Sequence, residues 1–329
     1  MSEILTAGAL RELAAEWIAA GKRVAGPCRV LPDRVFYAQV ASAADLLLEP
    51  CRPVNSIKEF LFPRHEKLYA YRVTGAGVEL TDAENPAVPQ VVFAGRPCDA
   101  AALPILDRVF DWDFPDRFYQ ARRESTTVVT FACSTSDEEC FCTSVGLAPD
   151  SGRGSDALLL ETGGGAFEVR CLSDKGRALF AGRTQPAAAR GRSAAPPPVR
   201  FDPARVGAFA SERFDDPFWA ERALPCLGCG ACAYTCPACH CFDIADEGAN
   251  GSGHRVRNWD SCQFDLFTQH ASGHNPRSGQ GARQRQRIYH KFHIYPAKFG
   301  EILCTGCGNC GRNCPAGLGV LPVIGEIDD

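Results

Sequence analysis

Two cysteine runs carry the strongest chemical signal in this chain: Cys226-x-x-Cys229-x-x-Cys232-x-x-x-Cys236-Pro237 and Cys304-x-x-Cys307-x-x-Cys310-x-x-x-Cys314-Pro315. Soft thiolates suit iron–sulfur clusters. Three thiolates at this spacing can wrap a [4Fe–4S] cube corner by corner while the other run supplies the fourth. The expected ligand sets are Cys226, Cys229 and Cys232 with Cys314, and Cys304, Cys307 and Cys310 with Cys236. Loops this tight need positive φ, which Gly228, Gly230, Gly306 and Gly308 can adopt. A zinc ribbon would use only Cys-x-x-Cys pairs and leave half of each run idle. Two [4Fe–4S] clusters are expected.

A second constellation lies upstream. Cys98 follows Gly95-Arg96-Pro97, Cys133 ends a strand-like run, and Cys140-Phe141-Cys142 sits beside Asp137, Glu138 and Glu139. These four cysteines could converge on a third [4Fe–4S] cluster. The alternative is a set of ordinary buried thiols, which cores accommodate. An acidic, turn-rich loop is a poor place for two apolar thiols, which favours the cluster. Cys28, Cys51 and Cys171 stand singly in apolar runs and read as packing. Cys239, His240 and Cys241 directly follow the first run, and Cys262 lies in Trp259-Asp260-Ser261-Cys262. They read as surroundings that tune a cluster through hydrogen bonds and solvent exclusion, with ligation as the alternative.

The elements that position these residues belong to an ordinary globular composition. The 329 residues are 45% hydrophobic and 22% charged, enough for two or three domains with a sizeable core. A net charge of −4 gives no reason to expect nucleic acid or an anionic membrane as partner. Eighteen cysteines, eight of them in the runs, indicate clusters in a reducing compartment rather than disulfides. The N-terminal stretch carries Glu3, Arg11, Glu12 and Glu16 through its apolar part, unlike a secretory signal. No apolar run approaches the roughly 18–20 residues that span a bilayer. A soluble, cytoplasmic protein is expected, with no membrane contact of its own.

Residues 4–20 place Leu10, Leu13, Ala14, Trp17 and Ile18 at helical spacing. Strands are expected at Arg34–Val40, Leu68–Val73, Val91–Ala94 and Thr126–Ala132, and in the pair Ala157–Glu161 and Phe167–Cys171. Helices are expected at Ser56–Phe62 and Ala100–Phe110, the latter with Asp99 as its N-cap. This makes residues 1–182 a mixed α/β domain. Residues 183–200 lack periodicity and concentrate Pro, Ala and Arg, the composition of a semi-rigid linker. Residues 201–329 form the cysteine-rich domain. Its runs are separated by 67 residues (237–303), far more than a minimal ferredoxin needs, with helical pieces at Gln263–Gln269 and Arg283–Phe292. The fold class is α+β: a mixed α/β domain followed by a mainly helical, ferredoxin-like domain.

From His254 to Lys298 there are eight Lys or Arg residues against two acids, Asp260 and Asp265. A solvated helix face is the simplest reading, with partner docking or charge compensation of reduced clusters beside it. Nucleic-acid binding lacks its helix-turn-helix or aromatic-stacking pattern. No Gly-x-Gly-x-x-Gly follows a strand, Gly75-Ala76-Gly77 being incomplete, and there is no Walker loop or nucleophile elbow. Apart from His240, the histidines do not stand at metal-ligand spacing. Clusters without substrate-activating groups make a wire rather than a catalyst.

The stretches CLGCGACAYTCPACHCFDI, WDSCQFDLFTQHASGHNPR, RQRIYHKF and CTGCGNCGRNCP resemble the β (iron–sulfur) subunits of soluble heterotetrameric [NiFe] hydrogenases, or sulfhydrogenases. GRPCDAAALPILDRVF, RRESTTVVTFAC and CFCTSVG extend the resemblance over most of residues 60–320. It is looser toward the electron-input subunit of anaerobic sulfite reductase, within the 4Fe–4S dicluster proteins. The resemblance implies that Cys98, Cys133, Cys140 and Cys142 ligate an additional cluster. It also implies an electron-transfer role between a flavin subunit handling NAD(P)H and the small and large subunits of a [NiFe] hydrogenase. Two alternatives stand: electron input to a sirohaem sulfite reductase, and an iron–sulfur redox sensor without turnover. The Pro/Ala-rich segment 183–200 departs from the family pattern.

Overall fold

A computed structural model describes residues 2–328 of the chain. The runs Val91–Ala94 and Val128–Phe131 are buried on both faces, as strands in the middle of a parallel sheet must be. They belong to β6 (Gln90–Ala94) and β7 (Thr126–Phe131), which pair in parallel. Around them lie β1 (Ser2–Thr6), β2 (Arg23–Leu31), β3 (Arg34–Val40), β8 (Ala157–Gly163), β9 (Ala166–Cys171) and β10 (Gln185–Ala187). The order is β10-β1-β9-β8-β7-β6-β2-β3. Parallel pairing runs from β2 through β6 and β7 to β8, and antiparallel pairs complete both edges.

Alternation sends Val91, Phe93, Val129 and Phe131 to one face, against Leu10, Leu13 and Trp17 of the helix Ala7–Ala19. Val92, Ala94 and Val128 meet Leu103, Leu106, Phe110 and Tyr119 on the other. The first helix is shorter than the 4–20 expected: Thr6 caps it, its side chain accepting from the Ala9 N–H at 3.1 Å, while Ser2–Thr6 join the sheet. Asp99 is not a cap. Arg96 holds the cap position of the short helix Pro97–Ala100. Asp99 instead lies fully buried, accepting from Tyr37 Oη at 2.6 Å and from the Arg96 guanidinium.

The second sheet, β11-β12-β4-β5, is antiparallel throughout. Its strands β4 (His65–Thr74) and β5 (Gly77–Asp82) come from the N-terminal half, while β11 (Phe242–Ala249) and β12 (Ser252–Trp259) come from between the two cysteine runs. The expectation of a mainly helical C-terminal half is corrected at this hairpin. Its pairing partner lies about 190 residues upstream, so no local pattern announces it. The predicted helix at Gln263–Gln269 is a single turn at Leu266–Thr268.

Residues 183–200 do not run free. β10 pairs with β1, Gly191 N–H donates to Glu168 Oε2 at 2.7 Å, and Ala194 N–H donates to the Cys133 carbonyl at 2.6 Å. The edge satisfies the segment's backbone groups without demanding a side-chain period. The helices Pro203–Glu212, Phe218–Ala223, Gln280–Tyr289 and Val320–Asp328 enclose a third core of Phe201, Val206, Trp219, Ile288, Phe292 and Ile324. Among the described residues, no helix is long and apolar enough to cross a membrane.

Arg257 of β12 ties the hairpin down. Both it and Glu66 are about 4% exposed, and its guanidinium pairs with Glu66 and Asp116 beneath the rings of Phe62 and Phe110. Removing Arg257 leaves buried Glu66 with Arg122 alone and takes the cation from Asp116. Arg257→Ala should therefore cost up to about 3–5 kcal/mol in urea unfolding, with exchange protection lost first in β11 and β12. Arg257→Met combined with Glu66→Gln should recover part of it. A loss below about 1 kcal/mol would mean that the hairpin is held by other contacts.

Candidate metal centres

The two cysteine runs adopt the same backbone. Gly228 and Gly306 have φ of 65° and 64°, and Gly230 and Gly308 both have 73°. The second glycine of each pair caps a one-turn helix, Ala231–Tyr234 in the first run and Asn309–Arg312 in the second. The glycine positions expected to take positive φ do so. At Gly306 a second demand is added: a Cβ would fall 2.5 Å from Cys142 Cα. The second run thus packs directly against the N-terminal cysteine loop, and Phe141 N–H donates to the Gly306 carbonyl at 3.0 Å.

Cys236 leaves its own run and stands within electrostatic reach of Cys304 and Cys307 of the other. Cys232 neighbours both Cys226 and Cys310. Cys229 is the exposed member at the tip of the first loop, whereas Cys236, Cys307 and Cys310 are buried. Cys314 Sγ receives the Leu318 N–H at 3.2 Å, and Cys310 Sγ the Val320 N–H at 3.4 Å. Burial pushes the Cys232 and Cys304 thiols up to about 11. Among the described residues, no three Cys, His, Asp or Glu side chains close on a point as a single metal ion requires.

The N-terminal cysteines gather where the parallel strands end. Cys98 lies just past β6 and Cys133 just past β7, at the carboxyl edge where α/β sheets form their crevices. With Cys140 and Cys142 they line one pocket, shared with Arg52, Arg96 and Cys307. Burial pushes Cys133 up to about 12 and raises Cys98 well above the ordinary thiol range. Arg96, 4% exposed, reaches from Asp99 to Asn309 Oδ1 at 3.1 Å. Arg312 ties the same loop from the other side, with Nη2 3.2 Å from Cys140 Sγ and Nε 2.9 Å from Asp137 Oδ2.

Several neighbours of the cysteines were not singled out by sequence. Lys291 Nζ lies 3.5 Å from both Cys236 Sγ and Cys239 Sγ. Burial works against its charge, but Cys236, Cys239 and Cys304 outweigh it and hold its pKa well up. Lys58 Nζ donates to the carbonyls of Cys239 and Ala233 at 2.8 and 3.1 Å, over the Trp259 ring. Gln280 and Gln284 donate to Cys226 Sγ at 3.1 and 3.3 Å. Their signal is present in the chain: positions 280, 284, 287 and 291 share one helix face. Cys241 and Cys262 contact each other, and Cys239 contacts Cys236. Cys28 and Cys171 pack on the core of the large sheet. Cys51 shares a small pocket with Cys133 and Arg96 instead of an apolar one.

Soft sulfur ligands gathered in loops of this form, desolvated and flanked by buried cations, define an iron–sulfur protein. Residues 225–318 match the family model of the 4Fe–4S dicluster domain. Over 93% of this chain and 92% of the relative, the sequence is 30% identical to the sulfhydrogenase 2 subunit beta of Pyrococcus furiosus. The chain belongs to the family of sulfhydrogenase beta subunits, iron–sulfur subunits of the electron-transferring oxidoreductases. No solved structure matches it.

His240 and His290 face each other with ring centroids 5.4 Å apart. Burial, aided by nearby cations, lowers them to about 4 and about 3. Their folded values lie below the ordinary 6.5, so below that pH the unfolded chain takes up more protons and stability falls. Each can contribute up to about 1.4 kcal/mol per pH unit over that range. The melting temperature should therefore drop between pH 7 and pH 5, and His240→Gln should shrink the drop. An equal drop in the variant would remove His240 from the effect.

Proposed function

We propose that this chain is the iron–sulfur electron-transfer subunit of a cytoplasmic multisubunit oxidoreductase. It relays electrons between a flavin subunit that handles NAD(P)H and the catalytic subunits of a [NiFe] hydrogenase. The observation that carries this reading is the adjacency of three cysteine sets. The set assigned to Cys226, Cys229, Cys232 and, from the spacing, Cys314 reaches the surface at Cys229. Cys304, Cys307, Cys310 and Cys236 form an enclosed set next to it, through the neighbours Cys232 and Cys310. Cys98, Cys133, Cys140 and Cys142 form the third, whose pocket is walled by Cys307.

The residues present suit [4Fe–4S] clusters. Thiols of all three sets are desolvated, as at Cys133, Cys232 and Cys304, N–H groups are aimed at sulfur, and buried Arg287 keeps Nε and Nη2 without a protein partner. When bound, each cluster exchanges a single electron. The protein's part is to supply thiolates, exclude water and hold positive charge close by. The chain has no dinucleotide fingerprint of its own, which leaves flavin and NAD(P)H to a partner. The sulfhydrogenase relative supports hydrogenase neighbours over a sirohaem protein.

Iron and sulfide analysis of the reconstituted chain tests the ligand sets: about twelve iron atoms are expected, at four per cluster. Cys229→Ala and Cys307→Ala should each remove about four. Full iron in both variants would overturn the sets. Anaerobic affinity purification from the native host tests the partners. A nickel-containing subunit together with a flavoprotein is expected; a sirohaem protein would move the reading to sulfite reduction, and recovery of the chain alone would overturn it.

A further inference from the structure

One helix lies alongside both dicluster cysteine sets. It runs from Gln280 to Tyr289 and continues through a π-helical segment, His290–Ile294, into Tyr295–Phe299. Four polar residues on one face meet the cysteines in succession. Gln280 comes first, its Oε1 gripped by Arg283 at 2.7 Å, so that its amide N–H₂ faces Cys226 Sγ. Gln284, 2% exposed, donates to the same sulfur. Lys291, 3% exposed, ends the series at Cys236 and Cys239.

Arg287 stands between them and is 2% exposed. One of its nitrogens, Nη1, donates to the Leu318 carbonyl at 3.2 Å. Nε and Nη2 find no partner in the protein. A buried guanidinium with orphaned donors is costly unless something accepts from it. The thiols of Cys232, Cys310, Cys239 and Cys262 lie within electrostatic reach of it, as does the Lys291 ammonium. The other arginines of this helix are engaged elsewhere. Arg283 holds Asp265 and Gln280, and Arg285 stacks on Phe214 at 3.5 Å and pairs with Asp215.

We propose that this helix face sets the reduction potentials of the two dicluster sites. Gln280 and Gln284 act on the Cys226 site and Lys291 on the Cys236 site. Arg287 acts on both, through its charge and the two N–H groups left for cluster sulfur. Reduction adds one electron and one negative charge to a site. Fixed positive charge and N–H donors stabilise that form and raise the potential. The inference rests on the cluster reading above. These four are positioning and tuning residues, not ligands.

The test is an anaerobic, EPR-monitored redox titration of the reconstituted full chain, with iron measured on each sample. Arg287→Met should keep its iron and lower both midpoints. At the wild-type midpoint, the reduced-to-oxidised ratio should fall about tenfold, equal to about 59 mV for a one-electron couple. Arg287→Lys should keep most of the potential, and Lys291→Met should lower mainly one midpoint. Arg285→Gln, on the face toward Phe214 and Asp215, should change neither. Unchanged midpoints in Arg287→Met and Lys291→Met at full iron would overturn the proposal. If Arg287→Met loses its iron, Gln284→Leu and Arg287→Lys decide by the same shifts. A wild-type chain that takes up no iron in the two runs would instead overturn the ligand sets themselves.

Discussion

Sulfur that must carry negative charge away from water is the constraint around which this protein is built. Burial outweighs the neighbouring cations and leaves Cys232 and Cys304 at about 11 and Cys133 at about 12, yet a cluster is held only by thiolates. Nearby positive charge works against that penalty. Arg96, Arg287 and Lys291 are each under 5% exposed and lie among cysteines, while Lys58 reaches the Cys239 carbonyl. A cation buried alone would be as unfavourable as the thiolate. Together each lessens the penalty of the other, which accounts for Lys58, Arg96, Arg287 and Lys291 in the interior of a chain of ordinary composition.

That constraint also accounts for the interlocking of the two halves. Arg96 follows a strand of the large sheet but reaches Asn309 beside the second run. Arg312 of that run reaches back to Asp137 and Cys140. Phe141, flanked by two cysteines, packs into the helical core against Phe201. The N-terminal cysteine pocket and the second run therefore share a wall, and neither could shift without exposing the other's sulfur to water. The hairpin Phe242–Trp259, held by Arg257 on Glu66, is a second tie between the halves.

Two strategies place the cysteines. In the runs, geometry is local: four glycines with φ between 64° and 73° turn the chain tightly between consecutive cysteines. In the N-terminal half, geometry is borrowed from the sheet, since parallel neighbours β6 and β7 deliver Cys98 and Cys133 to the same edge. The first strategy leaves a spacing in the chain and the second does not.

This difference decides what could be read without coordinates. The two runs, their glycines, five of the eight strands of the large sheet (β3 and β6 to β9) and the body of the first helix are legible, because each depends on residues a few positions apart. The gathering of Cys98, Cys133, Cys140 and Cys142 was inferable from loop composition and resemblance, and it is the parallel order of β6 and β7 that brings them to one pocket. The second sheet, the docking of residues 185–194 and the burial of Asp99 were not legible, since their partners lie tens to hundreds of residues away. The basic stretch 254–298 shows the division most plainly. Its charges are evident in the sequence, but their roles depend on which helix face meets sulfur. Arg285 points to Asp215 and Arg287, two residues later, to the cysteines, because side chains two apart on a helix lie on different faces. Ligand type and local turn geometry thus belong to the sequence alone. The company each charge keeps was decided by tertiary packing, because desolvation and charge pairing act through space and not along the chain.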